Sequence, residues 1–271
     1  MVSSFARCSL RASSESQAAL LSPFAFRLSP FALHLSPFAL HHMNFAALFA
    51  LALAPALFWL WFFIRRDRRP EPAWLLVRTF VWGAVMVVPA ALLQAGIESA
   101  FGATAMFLLV GLIEESAKLI AASSMLKHRE FDEPIDGLVY ATAATLGFAT
   151  LENALYMLSG GAGLILLRGP ISTLGHILFA SAWGYALSIR KFSNRGRGRW
   201  IIRKALLLAA ALHTTFNFLL LSAGSAAGLE WLLLPFAGLM ILMWRLTNAH
   251  YRGAAQMSDA QKLLPLNEPL T

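Results

Sequence analysis

Charged residues and cysteines are both scarce in this chain of 271 residues. Only 13% of the residues are charged, and Cys8 is the single cysteine. Soluble globular domains carry about 25% charged residues, so the composition argues against a soluble domain. One cysteine excludes an internal disulfide and also excludes a CxxC metal or redox motif.

Three motifs of membrane-embedded hydrolases are absent as well. The sequence contains no GxSxG elbow and no HExxH zinc-binding helix, which argues against serine and site-2-type zinc proteases. It also lacks a GxGD-type aspartyl pair. The aspartate of the segment IDGL, Asp136, lies at a predicted helix start, where Asp is a common capping residue.

Long apolar runs dominate the rest of the chain. Hydrophobic residues make up 58% of it, and its mean hydropathy is +0.62. Runs of about 20 apolar residues are long enough to cross a bilayer as helices. The sequence therefore predicts an all-α polytopic membrane protein, with about seven transmembrane helices in one bundle. The predicted segments are 44–64, 74–97, 102–126, 137–158, 164–189, 201–223 and 229–247.

Basic residues lie between the apolar runs and give a net charge of +8. They concentrate in residues 65–69, 127–129 and 190–204 and in the tail, and these loops alternate with loops that hold only Arg168. Since cytoplasmic loops are enriched in Lys and Arg, we expect the N-terminus outside and the C-terminus in the cytoplasm. This pattern favours a lipid bilayer as the partner and no nucleic acid.

Residues 1–42 differ in character from the rest. Residues 21–42 repeat LSPFAFR, LSPFALH and LSPFALH. A proline every seventh residue opposes a helix, and the repeat is too short to bury a core. We expect Met43 to be the natural start and residues 1–42 to be a non-native extension. The alternative is a disordered extension or a targeting peptide.

Ionisable residues interrupt four of the predicted helices at a similar depth. Counted from the predicted cytoplasmic ends, Glu114 and Glu115 lie about 18–20 Å into the bilayer. Glu152 lies about 22 Å in, His176 about 20 Å and His213 about 18 Å. Such groups are costly in lipid and normally face a bundle interior or a water-filled cavity. We therefore expect one shared polar site.

Two more polar residues share helix faces with these groups. Lys118 lies one helical turn after Glu114 and is expected to neutralise a carboxylate, and Asn217 has the same spacing from His213. Taken singly, such residues are explained by helix packing. Together they are typical of water activation. A buried glutamate can act as general base, an imidazole can share a proton or ligate a metal, and an N–H can hold an oxyanion.

Two segments resemble one known family. EESAK, residues 114–118, matches the EExxK motif of the PrsW family of intramembrane proteases, which are relatives of the CAAX- and bacteriocin-processing superfamily. FDEPIDGLVYATAATLGFATLEN, residues 131–153, is similar to the family's acidic loop, DG to GF stretch and FxxxEN motif. His176 fits the third motif, and His213 with Asn217 fits the fourth.

The CAAX branch usually has EExxxR and FxxxH, whereas this chain has Lys118 and Glu152, as PrsW proteins do. The resemblance covers residues 43–250 as a transmembrane protease domain. It leaves residues 251–271, for which we expect a flexible cytoplasmic tail.

The resemblance implies an intramembrane endopeptidase in the bacterial inner (cytoplasmic) membrane. Its substrate would be a single-span membrane protein, and an anti-sigma factor is one candidate. Glu114 or Glu115 would activate water, and Glu152 and His176 would position the water or share its proton. His213 and Asn217 would hold the oxyanion. The family is described as metalloproteases, so Zn held by Glu152, His176 and His213 is the alternative to a metal-free glutamate route.

Two other classes of function stay open on the sequence. Intramembrane Glu and His also form proton relays in transporters, which would predict inverted repeats and broken helices. The two halves of the chain show no internal similarity, which counts against a transporter. A non-catalytic receptor or chaperone of membrane proteins is the third class, and it would not need the full polar set.

Overall fold

The computed structural model describes residues 45–160, 168–193, 198–225 and 230–263. Nearly all of these residues lie in helices, which confirms the all-α prediction for them. Residues 1–42, the predicted N-terminal extension, lie outside the described chain. We number the α-helices in chain order as α1 (Phe45–Ile64), α2 (Ala73–Val85), α3 (Val87–Ser123), α4 (Asp136–Gly160), α5 (Thr173–Phe192), α6 (Gly198–Ser225) and α7 (Leu233–Leu263). A π-helical turn at Arg168–Ser172 precedes α5, and a 3-10 turn at Glu230–Leu232 precedes α7.

Two segments of the described chain are long and apolar enough to cross a membrane. Ala46–Ile64 has a mean hydropathy of 2.2, and Ala73–Ser123 has 51 residues and a mean hydropathy of 1.9. As one straight helix the second would measure roughly 75 Å, more than twice the hydrocarbon thickness of about 30 Å. A segment of this length has to bend or fold back. The seven-span count and the orientation of the termini stay predictions.

The long segment breaks at two places that its sequence explains. The boundary between α2 and α3 falls at Met86. Pro89 follows three residues later, and its missing N–H and bulky ring oppose a continuous helix. Inside α3, Gly102 has φ 84° and ψ 168°, a conformation that glycine adopts readily and other residues do not. Gly102 divides α3 into a first arm, residues 87–101, and a second arm, residues 103–123.

The two arms of α3 fold back on each other as a hairpin. Gln94 Nε2 of the first arm donates to Glu114 Oε1 of the second arm at 3.3 Å. Apolar residues of both arms share one buried cluster with α4, namely Val87, Ala90, Ile113, Ala117 and Phe148. The reversal at Gly102 lies at the first residue of the predicted segment 102–126, and it brings Gln94 beside the glutamates.

Glycines bring α2 and α4 into backbone contact. A Cβ atom on Gly83 of α2 would collide with the carbonyl group of Ala144, and one on Gly147 of α4 would collide with the carbonyl group of Phe80. Small residues of this kind let membrane helices approach closely. The reciprocal contact fixes the register of α4 against α2.

Two further glycine contacts join other helix pairs. A Cβ atom on Gly137 of α4 would lie 2.6 Å from the carbonyl oxygen of Gly184 in α5, and one on Gly111 of α3 would collide with the carbonyl group of Ala210 in α6. The helices that carry the predicted site residues are therefore packed at backbone distance in pairs.

The basic loops meet at one end of the bundle. Arg69, between α1 and α2, pairs with Glu133, before α4, at 2.8 Å. Arg66 donates to Asn248 of α7 at 2.9 Å, and Lys191 at the end of α5 donates to a backbone carbonyl of the α3–α4 loop at 3.2 Å. These loops share one end, as the predicted topology requires. The compartment that this end faces stays a prediction.

Helix α7 continues past residue 250 to Leu263, where the sequence predicts a flexible tail from residue 251. Tyr251 and Ala254 are buried, so the apolar stripe of α7 extends beyond that boundary. The Tyr251 ring stacks on Phe63 of α1 with centroids 5.8 Å apart, and the Arg66 guanidinium lies 4.9 Å from the Tyr251 ring. Residues 264–271 lie outside the described chain.

Candidate active site

The second arm of α3 contributes two carboxylates and one ammonium group to the site. Glu114, Glu115 and Lys118 are 5%, 0% and 0% exposed. Lys118 Nζ lies 2.9 Å from Glu115 Oε1 and 3.5 Å from Glu114 Oε2. Residues three and four apart are neighbours on a helix surface, which is why the EESAK spacing lets one lysine reach both glutamates.

Lys118 also links α3 to the next two helices. Its ammonium lies 2.7 Å from His176 Nδ1 on α5, and His176 Nε2 lies 3.1 Å from Glu152 Oε2 on α4. An ammonium group only donates hydrogen bonds, so Nδ1 must accept and the ring proton must sit on Nε2. The Nε2 proton of His176 then faces Glu152, and both of its ring nitrogens lie beside a charged group.

His213 of α6 faces the two glutamates with different ring nitrogens. Its Nδ1 lies 3.0 Å from Glu115 Oε1, and its Nε2 lies 3.8 Å from Glu114 Oε2. Because an ionised carboxylate only accepts, the neutral His213 ring carries its proton on Nδ1. Nε2 then presents a lone pair toward Glu114.

The two glutamates are held to different degrees. Glu115 is held by three close contacts, since Trp183 Nε1 donates to its second oxygen at 2.9 Å in addition to the contacts with Lys118 and His213. The contacts of Glu114 are all longer, at 3.3 Å to Gln94, 3.5 Å to Lys118 and 3.8 Å to His213. Glu115 is thus fixed in place, and Glu114 keeps acceptor capacity for another molecule.

Aromatic rings line the polar groups. Phe179 stacks on His213 with centroids 4.7 Å apart and an interplanar angle of 17°, and Phe148 lies 4.7 Å from Lys118 Nζ. The centroids of His176 and His213 are 5.0 Å apart. Apolar walls lower the local dielectric and strengthen the hydrogen bonds between the polar groups.

Six of the seven residues predicted from the sequence meet in this site, from four helices: Glu114, Glu115, Lys118, Glu152, His176 and His213. The seventh, Asn217, lies one turn beyond His213 on α6 and is partly exposed. Within the described chain no hydrogen bond of its side chain is found, and its oxyanion role stays a prediction.

Sequence reasoning missed Trp183 and Gln94. Trp183 lies seven residues after His176, which puts both on the same face of α5. From that spacing, Trp183 could have been predicted to face the same site as His176. Gln94 belongs to the first arm of α3, and nothing in the sequence indicates which residue it meets after the reversal at Gly102.

The donor groups of the site fit a zinc ion. Ligand atoms of Glu114, His176 and His213 lie within 4.8 Å of one another, and two imidazoles with one carboxylate are a common catalytic zinc set. The contact of His213 Nδ1 with Glu115 is the kind that orients metal-binding histidines. His176 would have to exchange its contact with Lys118 for the metal. Glu152, part of the predicted ligand set, contacts His176 and does not belong to this group.

Comparison with known proteins gives a consistent result. Residues 71–245 match the model of the PrsW family of intramembrane metalloproteases. Protease PrsW of Oceanobacillus iheyensis is 33% identical over 203 residues, which cover 73% of this chain and 91% of the relative. Protease PrsW of Geobacillus kaustophilus is 34% identical over 183 residues, covering 65% and 80%. Protease PrsW of Bacillus subtilis is 31% identical over 207 residues, covering 73% and 91%.

No solved structure matches the chain. The family match covers more than half of the residues and includes the helices that carry all six clustered polar groups. The chain therefore belongs to the PrsW family of intramembrane metalloproteases and is a peptidase integral to a membrane.

Proposed function

We propose that this peptidase cleaves a single-span membrane protein with a water molecule that Glu114 activates. A bacterial inner membrane is the proposed location, and an anti-sigma factor is one candidate substrate. The burial of the polar cluster among four helices supports cleavage within the bilayer, because a substrate helix would reach the cluster only at that depth. The comparisons give no support to the transporter hypothesis.

The unequal contacts of the two glutamates carry the assignment of the base. Glu115 is fully buried and accepts from Lys118, Trp183 and His213, so a further proton would displace one of these partners. Glu114 has no contact shorter than 3.3 Å among the described residues. A general base needs a free lone pair within hydrogen-bond reach of the water, and Glu114 meets this requirement.

The proposed reaction returns the site to its starting state. Glu114 takes one proton from the water as the water oxygen bonds to the peptide carbonyl carbon, and His213 Nε2 accepts the second water hydrogen as a hydrogen bond. Asn217 donates to the developing oxyanion. When the C–N bond breaks, Glu114 returns its proton to the departing amine. Lys118 contacts both glutamates and keeps their side chains in place, and Glu115 holds the His213 tautomer.

A bound zinc ion would polarise the peptide carbonyl and lower the pKa of its water. A chelator titration separates this chemistry from the metal-free route. Activity that is lost to a chelator and restored by zinc supports zinc bound by Glu114, His176 and His213. Unchanged activity at saturating chelator supports the metal-free route.

Glutamine variants test the base directly. Glu114→Gln keeps the side-chain size but removes proton acceptance, so we expect a loss of about 10²–10⁴-fold in turnover. The unfolding midpoint should fall less than it does for Glu115→Gln, because Glu114 lies farther from Lys118. Glu115→Gln should lower the unfolding midpoint as well, because it weakens three charge-assisted contacts. Glu98→Gln, the same change on α3 outside the site, serves as the matched control.

The measurement begins with proteomics of membrane fractions from cells that carry each variant, which identifies proteins that stay uncleaved. Cleavage of the strongest candidate is then timed with purified enzyme in micelles. Full cleavage by Glu114→Gln would exclude it as the base. A membrane proteome identical in the wild type and the Glu114→Gln/Glu115→Gln double variant would favour a non-catalytic receptor.

A further inference from the structure

A second group of carboxylates lies outside the active site, at the end of the bundle where the basic loops meet. Asp67 follows α1, Glu71 precedes α2 and Asp136 begins α4. Each offers a carboxylate oxygen within 4.8 Å of the other two. Asp67 and Asp136 are 7% and 1% exposed, and Glu71 is half-buried. Three carboxylates this close repel each other when ionised.

Hydrogen bonds satisfy part of this group and leave one buried oxygen open. Backbone N–H groups donate to Asp67 Oδ1 at 2.8 Å and to Asp136 Oδ2 at 2.6 Å. The Tyr140 hydroxyl donates to Glu71 Oε2. Asp67 Oδ2 is buried and has no hydrogen-bond partner among the residues that the structure describes. A buried polar atom of this kind normally binds water or an ion.

The nearby basic side chains are engaged elsewhere. In the chain as described, no lysine or arginine forms an ion pair with Asp67, Glu71 or Asp136. Arg69 pairs with Glu133 at 2.8 Å. Lys191, whose charge acts on Asp136, donates to a backbone carbonyl and lies 4.5 Å from the Phe131 ring. Burial, with the neighbouring carboxylate of Glu71, raises the pKa of Asp136 to about 9.

We propose that Asp67, Glu71 and Asp136 form a binding site for a hard divalent cation, Mg²⁺ or Ca²⁺. The three donors are carboxylate oxygens, which both ions prefer, and waters complete their coordination shells. The group contains no imidazole and no thiolate, and this donor set distinguishes it from the zinc-type set of the active site. A bound cation offsets the repulsion that the three carboxylates exert on each other when all of them are ionised.

Such a cation ties the α1–α2 loop to the first turn of α4. Helix α4 carries Glu152, so the bound ion stabilises the helix that holds one side of the active site. The cation site takes no part in peptide hydrolysis. It can therefore be tested by binding and stability alone, whatever the outcome of the cleavage experiments.

Terbium luminescence tests binding, because Tb³⁺ occupies Ca²⁺ sites and a nearby tyrosine sensitises its emission. With purified protein in micelles, we expect emission that Ca²⁺ or Mg²⁺ displaces. Asp67→Asn and Asp136→Asn should remove it, and Tyr140→Phe should weaken it because the sensitising phenol is gone. Glu130→Gln, which removes a partly exposed carboxylate of the α3–α4 loop, should match the wild type. Glu114→Gln should keep the terbium emission, and this result would show that the emission does not arise from terbium bound in the active site.

Thermal unfolding gives the second measurement. Mg²⁺ or Ca²⁺ should raise the midpoint of the wild type in proportion to the logarithm of concentration above Kd, and should not raise that of Asp67→Asn. Without divalent cations, Asp67→Asn should be at least as stable as the wild type, because one repelling charge is gone. If Asp67→Asn fails to fold, Glu71→Gln takes its place. Emission that neither cation displaces, or an equal midpoint rise in wild type and variant, would overturn the proposal.

Discussion

Replacing Lys118 by methionine removes the cation that contacts both α3 glutamates while it keeps a long apolar side chain. Lys118 is fully buried, and its ammonium lies 2.9 Å from Glu115 and 3.5 Å from Glu114. Removing one partner of a buried ion pair costs about 3–5 kcal/mol, because the other charge stays buried without compensation. Total stabilities are about 5–15 kcal/mol, so a large part of the folding free energy is at stake.

The double variant Lys118→Met/Glu115→Gln separates lost charge balance from lost packing. It removes one negative charge together with the positive one, so we expect it to recover most of the stability that Lys118→Met loses. Additivity of the two single losses would mean that the two groups do not interact. Lys204→Met is the control, since Lys204 lies on α6 over the exposed ring of Trp200 and outside the site.

Equilibrium unfolding in mixed micelles, followed by tryptophan fluorescence, measures these differences. An unfolding free energy of Lys118→Met within about 1 kcal/mol of the wild type would refute the ion-pair reasoning, since that is the size of an ordinary substitution. A Lys118→Met/Glu115→Gln double variant with a lower unfolding free energy than either single variant would also refute it.

Three other predictions concern the surroundings of the site and the topology. Trp183→Phe keeps most of the ring volume but removes a hydrogen bond to a charged group, so unfolding should show a loss of about 1.5–3 kcal/mol. Burial lowers the pKa of His250 below 6.5, so protonation of this ring favours the unfolded chain. The unfolding midpoint should therefore be highest above about pH 6.5 and fall at lower pH. His250→Gln should make the midpoint depend less on pH between pH 5 and 7. A reporter fused after residue 69 or residue 196 should be cytoplasmic, and a reporter fused near Gly161 or Ser225 should be external. An external reporter after residue 196 would show that the predicted orientation is wrong.

Local properties of the sequence explain why several elements could be predicted. The apolar run at 44–64 gives α1, Phe45–Ile64, and the run at 137–158 gives α4, Asp136–Gly160, because apolar length and capping residues act over short distances. The contact of Lys118 with both glutamates also follows from spacing on one helix. The two helices and the Lys118 contacts depend only on residues that are close in the sequence.

Features that depend on tertiary packing could not be predicted. Glu114 and Glu115 are adjacent in sequence, and only the position of Trp183 on a packed neighbouring helix gives Glu115 its third donor. The hairpin of α3 depends on the conformation of Gly102, which the residue type permits but does not dictate. The carboxylate group at Asp67 and Asp136 arises because two separate loops meet at one end of the bundle.

The glycine contacts group the helices of the site into two sets. Helices α2, α4 and α5 touch through their backbones, and so do the second arm of α3 and α6. The polar groups divide in the same way, with Glu152 and His176 in the first set of helices and Glu114 and His213 in the second. Contacts between the two sets in the site, among them those from Lys118 to His176, from Trp183 to Glu115 and from Phe179 to His213, join side chains. A peptide that reaches the polar groups can therefore exchange side-chain contacts for its own while the glycine-mediated backbone contacts within each set stay in place.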